Sequence, residues 1–392
     1  MNVPVDPTAL LLVQQSLATT RYVSGKTSGF YHYPARFHPD IARAVIEAFS
    51  LPGDTVFDPF MGGGTSIVEA LALGRRAVGI DINSLAHFVT AVRTTPLCSS
   101  DERQLTAWAD CCEQLRSPKD VRARGGVRNL PRAIESFVSD ARSLALFLRN
   151  ERQSAFARCA LLRLGQLAID STTRFENPRR ESLARKLPVL VRDMIVGMQS
   201  FVAACRGSGL RKNRILTQRS LYNRSIVGFE VEGGVLEGAQ KPRLVLTSPP
   251  YPGVHVLYHR WQYRGRRETA AAYWITQLQD GCGSSYYTMG DIKPPGVEDY
   301  FTNMLGAFRS VRALVADDAW VVQLVGFGDV AAQLPRYLEM MKAAGFRQWS
   351  PPGKQAAMLR SVPNRRWYTH LQGPVDASRE RLLIHRPSGF RN

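Results

Sequence analysis

The sequence has no Cys-x-x-Cys pair. Its six cysteines, Cys98, Cys111, Cys112, Cys159, Cys205 and Cys282, are scattered along the chain. That spacing excludes a zinc site of ordinary geometry and offers no disulfide framework. Long apolar runs are also missing. The stretch Ala9-Leu10-Leu11-Leu12-Val13 is short and lacks a positively charged region ahead of it, so it reads neither as a secretory leader nor as a membrane span. There is no internal repeat and no low-complexity tract. Acidic residues are scarce: 33 Asp and Glu stand against 51 Lys and Arg, for a net charge of +18 and a pI near 10.0. An excess of that size suits a polyanionic partner, because each phosphate contact releases a counterion. It also fits an ordinary basic protein. These features together predict a cytoplasmic chain with reduced thiols, no membrane partner and no metal.

What is present is enough for a sizeable core: 44% of the 392 residues are hydrophobic. Residues 1–30 read as an arm, a short helix followed by a polar loop of weak order. From Asp40 the pattern turns helical, with Ile41, Ala44, Val45, Ala48 and Phe49 on one face. Thr55-Val56-Phe57 reads as a strand, Thr65 to Leu73 as a helix capped by Gly74, and Ala77-Val78-Gly79-Ile80 as a second strand. That is a βαβ unit, and it predicts an α/β fold with a Rossmann-like parallel sheet and helices on both faces.

Residues 98–213 differ. They hold four amphipathic helices and no strand, and Lys and Arg outnumber Asp and Glu there by 21 to 12. The segment reads as a large helical insertion into a domain formed by 31–97 and 214–392. Either its basic surface grips a polyanion or it is a packing layer with solvated arginine heads. The α/β pattern then resumes. Strands are expected at Ile215–Thr217, Arg243–Thr247, Trp320–Val325 and Leu382–Ile384, and helices at Tyr300–Leu314 and Ala331–Ala343. A long loop region is expected over about 252–296, with one helix near Thr269–Leu278.

Two turns carry the chemistry. In the first, Val56-Phe57-Asp58-Pro59-Phe60-Met61-Gly62-Gly63-Gly64-Thr65-Ser66 places an acid and three glycines where a strand enters a helix. Glycines there let the backbone approach a ligand closely, and such a crevice is where parallel sheets bind ligands. The acid would repel a pyrophosphate but suits a cationic amino group. Asp81, with Ile82 after it, ends the next strand, where a carboxylate can accept from both hydroxyls of a ribose. In the second turn, Leu246-Thr247-Ser248-Pro249-Pro250-Tyr251 follows a buried strand. The prolines fix the chain and donate no N–H bonds, so nearby carbonyls can serve an outside donor. Ser248 adds a polar oxygen, and Tyr251 a flat face.

Together these residues resemble the S-adenosylmethionine-dependent amino-methyltransferases of DNA, which modify cytosine N4 or adenine N6. Asp58–Gly64 is similar to that family's first cofactor motif, Asp81 to its ribose-binding acid, and Ser248-Pro249-Pro250-Tyr251 to its catalytic motif. Tyr33-Pro34-Ala35-Arg36-Phe37-His38-Pro39 resembles the segment that closes over the methionine end of the cofactor. The resemblance implies S-adenosyl-L-methionine as cofactor, held by Phe37, His38, Pro39, Asp58, Pro59, Phe60, Gly62, Gly64, Thr65, Asp81 and Ile82. It implies catalysis by Ser248, Pro249, Pro250 and Tyr251 on a base flipped out of double-stranded DNA. A cognate restriction endonuclease is the further partner such modification enzymes imply. The family's adenine-contacting acid is missing after the expected third strand, where Gln218 and Ser220 are the candidates. A serine opening the catalytic motif is more typical of cytosine-N4 enzymes, and adenine N6 is the alternative. Cytosine-C5 chemistry needs a Pro-Cys nucleophile, which the sequence lacks. An RNA base methyltransferase and a silent nucleic-acid-binding module are the remaining readings.

After the catalytic motif, aromatic and basic residues interleave. Tyr258, His259, Trp261 and Arg264 stand where they could line a base pocket. Tyr273 and Trp274 read as core. His255 and His259 have helical ligand spacing but no third partner, which argues against a metal.

Overall fold

A parallel sheet forms where the sequence places short, mostly apolar strands that are buried along their length, since a strand covered on both faces needs no polar side. The computed structural model describes residues 5–21, 23–33, 38–115, 127–170, 178–231, 240–252, 261–263, 267–279, 289–290, 296–350, 357–361 and 379–389. Helices α1 (Pro7–Leu17) and α2 (Pro39–Phe49) precede β1 (Thr55–Asp58), α3 (Thr65–Ala72), β2 (Arg76–Asp81) and α4 (Ser84–Arg93). Four helices follow: α5 (Ser99–Glu113), α6 (Arg132–Ala145), α7 (Glu151–Asp170) and α8 (Arg180–Gly207). Then come β3 (Arg219–Asn223), β4 (Leu244–Thr247), β5 (Trp261–Tyr263), β6 (Arg267–Thr269) and α9 (Ala271–Thr276). The chain continues as α10 (Gly296–Leu314), β7 (Trp320–Gly326), α11 (Val330–Ala343), β8 (Phe346–Gln348), β9 (Met358–Ser361) and β10 (Arg379–Pro387).

The sheet runs β3-β2-β1-β4-β7-β10-β8, with β9 also paired to β10. The first five strands are mutually parallel; β10 is antiparallel to β7, β8 and β9. The period-2 alternation of the strands sorts two cores. Leu244, Leu246, Val322 and Leu324 face α2 and α3 residues such as Val45 and Ile67. Val245, Val321 and Val325 face Tyr300, Phe308 and Tyr337 of α10 and α11. Helices therefore cover both faces.

The four helices of 98–213 join the first of these cores. Phe137, Phe156, Leu187 and Phe201 belong to the same cluster as α2 and α3. α8 is long and apolar enough, by length and composition, to cross a bilayer, against the expectation that no stretch is. Leu183, Leu187, Val191, Met194, Met198 and Phe201 bury one of its faces in the helical layer, as a core helix does. The arm is better anchored than expected: Leu10, Val13 and Leu17 of α1 are buried.

Two expectations fail locally. Ile215–Thr217 is not a strand; it lies in two short turns of 3₁₀ helix, and pairing with β2 begins only at Arg219. The region 252–296 is not all loop, since β5 and β6 form a hairpin within it. That hairpin and α9 are tied to the helical segment. Asn129 donates to the Glu268 carbonyl (2.8 Å), Arg142 to that of Trp274 (3.1 Å) and Arg158 to that of Thr276 (3.1 Å).

Candidate active site

The chain leaves β1 towards β2 and β3 on one side, and β4 leads to β7 on the other. The carboxyl ends of β1 and β4 thus flank the switch point where open α/β sheets bind ligands. Asp58 ends β1, Asp81 ends β2, and Thr247 ends β4. Thr247 Oγ1 donates to Asp58 Oδ1 (2.7 Å), which joins the glycine turn to the start of the Ser-Pro-Pro-Tyr loop.

Asp58 is only 2% exposed. It also accepts from Phe60 N (3.1 Å) and from the Ser66 hydroxyl. Asp81 accepts from Asn83 N and Gly62 N, both at 2.8 Å. Burial pushes each carboxyl up to about 6, against the pull of those hydrogen bonds. The neighbouring Asp81 charge raises Asp58 further. Among the described residues the donors to both groups are hydroxyls and backbone amides, none of them a cation. A positively charged ligand is what two such carboxylates select for.

The glycine turn needs glycine for reasons of conformation and space. Gly62 and Gly64 have φ of +47° and +73°. A Cβ at Gly64 would land on the Thr90 side chain. Gly64 is also the N-cap of α3, with Thr65 its first residue, and Arg93, buried beneath the turn, donates to the Gly63 carbonyl. Pro59 is buried; Phe60 and Ile82 are half-buried at the rims of the two strand ends.

The segment expected to close over the cofactor is partly visible. Tyr33 lies against Gly62 and Gly63, and a Cβ at Gly63 would sit 3.2 Å from it. His32 is held at both backbone groups by Gln166 of α7 (3.0 and 2.8 Å). His38 caps α2: Nδ1 accepts from Asp40 N (3.2 Å), which leaves Nε2 to donate to the Arg21 carbonyl (3.1 Å). Both ring nitrogens are therefore committed to holding the chain, and Pro39 opens the helix behind them. Phe37 lies outside the described residues.

On the other side of the switch point, the Ser248 hydroxyl donates to the Leu324 carbonyl (3.0 Å). Its oxygen lone pairs remain for an incoming donor. The Tyr300 hydroxyl donates to the Pro250 carbonyl (2.8 Å) and holds the loop from α10. Tyr251 is 9% exposed; its hydroxyl stands 3.3 Å from Ser248 Oγ and donates to Glu380 Oε1 (2.7 Å). No sequence signal pointed to Glu380 or Tyr300, because both come from elements remote in the chain.

Three expectations need correction or fall away. Gln218 precedes β3 and Ser220 pairs with Val78 in mid-strand, so neither reaches the carboxyl end of the sheet. That position belongs to Asn223, which pairs with Asp81 and donates to the Asp81 and Ile82 carbonyls (3.0 and 3.1 Å). Trp261 does not line a pocket. It is 6% exposed, packs against Gly165 of α7, and donates through Nε1 to the Tyr31 hydroxyl (2.9 Å). Tyr258, His259 and Arg264, like His255, lie outside the described residues. Tyr273 is buried and donates to Asn83 Oδ1 (3.1 Å), in keeping with its reading as core.

Comparison with known proteins bears on the first half of this site. Residues 15–90, which include Asp58–Gly64 and Asp81, match the N6/N4 Mtase family model, described as DNA methylase. The type II methyltransferase M.MvaI of Kocuria varians is 39% identical over 74 residues, 18% of this chain and 16% of that protein. The type II methyltransferase M.BsoBI of Geobacillus stearothermophilus is 41% identical over 56 residues, 14% of this chain and 11% of that one. The DNA adenine methyltransferase YhdJ of Escherichia coli K12 is 40% identical over 55 residues, 14% of this chain and 19% of that protein. The chain thus aligns with less than a fifth of the length of each of these three relatives.

Proposed function

We propose that this chain is a DNA amino-methyltransferase, as the match over residues 15–90 and the similarity to type II methyltransferases support, and that it transfers a methyl group from S-adenosyl-L-methionine to N4 of a cytosine flipped out of double-stranded DNA. The observation that carries the reading is the pair of carboxylates Asp58, buried, and Asp81, half-buried, which have no cation among their donors in the described residues, with Asp58 joined through Thr247 to the Ser248–Tyr251 loop. The residues fit the cofactor chemically. Asp58 would answer its cationic amino group, Asp81 its ribose hydroxyls, and the Gly62–Gly64 backbone admits it without a side chain in the way. When bound, it supplies an electrophilic methyl group on a positively charged sulfur.

The remaining work falls to this chain. An exocyclic amine is a weak nucleophile because its lone pair is shared with the ring. Ser248 Oγ, whose own hydrogen is committed to Leu324, accepts one amine hydrogen, and the Pro249 carbonyl accepts the other. Both favour a pyramidal nitrogen with its lone pair exposed. Pro250, fixed by Tyr300, and the Tyr251 ring keep the base in place. This is catalysis by positioning and electrostatics, with no covalent bond to the enzyme. The helical segment 98–213 presents the hairpin that follows the catalytic loop, through Asn129, Arg142 and Arg158. The net charge of +18 serves the DNA backbone.

The test is incubation with labelled S-adenosylmethionine and either DNA or RNA, followed by nucleoside analysis. Label in N4-methylcytosine from DNA supports the proposal. Label in N6-methyladenine would move the assignment to the second reading, which the printed name of the YhdJ relative favours. Label confined to RNA, or no label on either polymer, would overturn it. Co-purification or genetic linkage with an endonuclease that spares the modified sequence would identify the partner.

A further inference from the structure

We propose that Glu380 is a positioning residue for the acceptor pocket: its carboxylate, oriented by Arg360, holds the Tyr251 hydroxyl and so fixes the ring against which the target base is placed. The proposal rests on the methyl-transfer reading for its consequence, and on geometry alone for the contact.

Three neighbouring strands build the device. Glu380 on β10 pairs with Gly326 on β7 on one side and with Arg360 on β9 on the other. Two of the three residues touch Tyr251, and the third holds Glu380. Gly326 makes room: a Cβ there would stand 2.9 Å from Cδ2 and Cε2 of the Tyr251 ring, so only glycine lets the ring lie against the strand. Glu380, 2% exposed, takes the hydroxyl hydrogen on Oε1 (2.7 Å). Arg360 donates through a terminal nitrogen to Oε2 (2.7 Å) and stops the carboxylate from turning. The hydroxyl oxygen also stands 3.3 Å from Ser248 Oγ, so the ring that Glu380 holds lies beside the atom assigned to the base amine.

The arrangement is more than the sheet requires. A buried carboxylate and a half-buried guanidinium are costly to desolvate, and apolar residues of similar size would hold three strands at least as well. A buried tyrosine hydroxyl needs a hydrogen-bond partner, but a neutral acceptor such as a backbone carbonyl would meet that need. The hydroxyl, the acid and the cation make sense together as a means of holding one rotamer, and a small misplacement at a reacting centre is expensive in rate.

Glu380→Gln, Tyr251→Phe and the double variant test this, each assayed for single-turnover transfer to DNA and for cofactor affinity. In the Tyr251 chain, Glu380→Gln should slow transfer about tenfold or more. In the Tyr251→Phe chain, where no hydroxyl remains to be held, it should change the rate less than about twofold. Cofactor affinity should stay constant throughout. Equal losses in both backgrounds would mean that Glu380 serves only the sheet, and would overturn the proposal. Arg360→Gln leaves the carboxylate in place and should give the same pattern with a smaller loss; a loss independent of the hydroxyl would again count against it.

A second readout needs no transfer. With 3-fluorotyrosine at position 251, the fluorine resonance should be narrow in the wild type and should shift and broaden in Glu380→Gln. An unmoved resonance would overturn the proposal. If the wild type modified no nucleic acid while this resonance still responded, the methyl-transfer reading would fail and the Glu380–Tyr251 contact would stand.

Discussion

The two sides of the switch point are built differently. The donor side is local: Asp58, the glycine turn and Asp81 fall within one βαβ unit, and their main contacts to Phe60, Gly62, Ser66 and Asn83 lie within it or just beyond. The acceptor side is assembled from afar. Ser248 leans on Leu324, Pro250 on Tyr300, and Tyr251 on Gly326 and Glu380. On the proposed reading, the difference teaches that a cofactor cradle can be specified by a short stretch of chain, whereas an acceptor pocket needs the whole sheet to close around it. It also accounts for the family match covering the donor side and stopping at residue 90.

The sharpest way to break the comparison is to separate binding from transfer. Ser248→Ala should cut the transfer rate about a hundredfold or more while cofactor affinity holds, because in the proposed mechanism the serine acts only on the base. Asp58→Ala should do the reverse and weaken the cofactor by about 2–3 kcal/mol, the scale of a lost hydrogen bond to a charged group. Calorimetry with S-adenosylmethionine and single-turnover assays read the two effects separately. If Ser248→Ala weakened the cofactor as much as Asp58→Ala does, the two sides would be one functional unit and the division would collapse.

Next in size is the donor turn itself. Gly64→Ala forces φ of +73° on a residue with a Cβ and drives that atom into Thr90. A loss of about 2–3 kcal/mol in unfolding free energy is expected. Adding Thr90→Ala should recover the steric part and leave the backbone part. A Gly64→Ala variant as stable as the wild type would mean that the turn is less constrained than its contacts require.

Locality also explains what could be read from the sequence. Asp58, the glycines, Gly74 and Asp81 are legible because strand, turn and helix signals sit side by side. Ile215–Thr217 misleads as a strand because its apolar signal comes from Ile215, a fully buried anchor of a turn, while Leu216 is exposed. The true strand starts at Arg219, a charged residue made tolerable by bonds to the Ala91 carbonyl (2.8 Å), Thr95 Oγ1 (3.0 Å) and Thr94. Trp261 looks like a nucleic-acid platform because its neighbours are basic, and only the α7 glycine opposite it reveals a core residue. Arg379, Glu380 and Arg381 are three charged residues in a row, and nothing in that local pattern marks Glu380 as buried. Pairing with β7 and β9 is what buries Glu380, and pairing is not visible in one strand.

A pH titration probes the donor side more gently. Asp58 and Asp81 have folded pKa values near 6, raised from 3.8 by burial. Between those values the native protein holds protons that a cationic ligand must displace. Cofactor affinity should therefore be flat above about pH 7 and fall as pH drops through 6, by up to about tenfold per unit for each carboxylate that must ionise. Binding near pH 6 should release protons, seen as a dependence of the calorimetric heat on buffer ionisation enthalpy. Constant affinity from about pH 5 to about pH 7.5 would remove the cation-selecting role from these acids.

The smallest effect on activity is expected at the far end of β10. His385 is five residues from Glu380, roughly 17 Å along an extended strand. It is buried, neither ring nitrogen has a hydrogen-bond partner among the described residues, and burial pushes it down to about 3 from 6.5. Between those two values the unfolded chain takes up a proton that the native state excludes. Stability is then full above about pH 6.5 and is lost as pH falls towards 3, at up to about 1.4 kcal/mol per unit. His385→Leu should flatten that acid limb in urea unfolding while leaving transfer rate and cofactor affinity at neutral pH unchanged. If it slowed transfer as Glu380→Gln does, β10 would act as a rigid whole, and the acceptor pocket would depend on the integrity of the strand rather than on the one carboxylate that touches Tyr251.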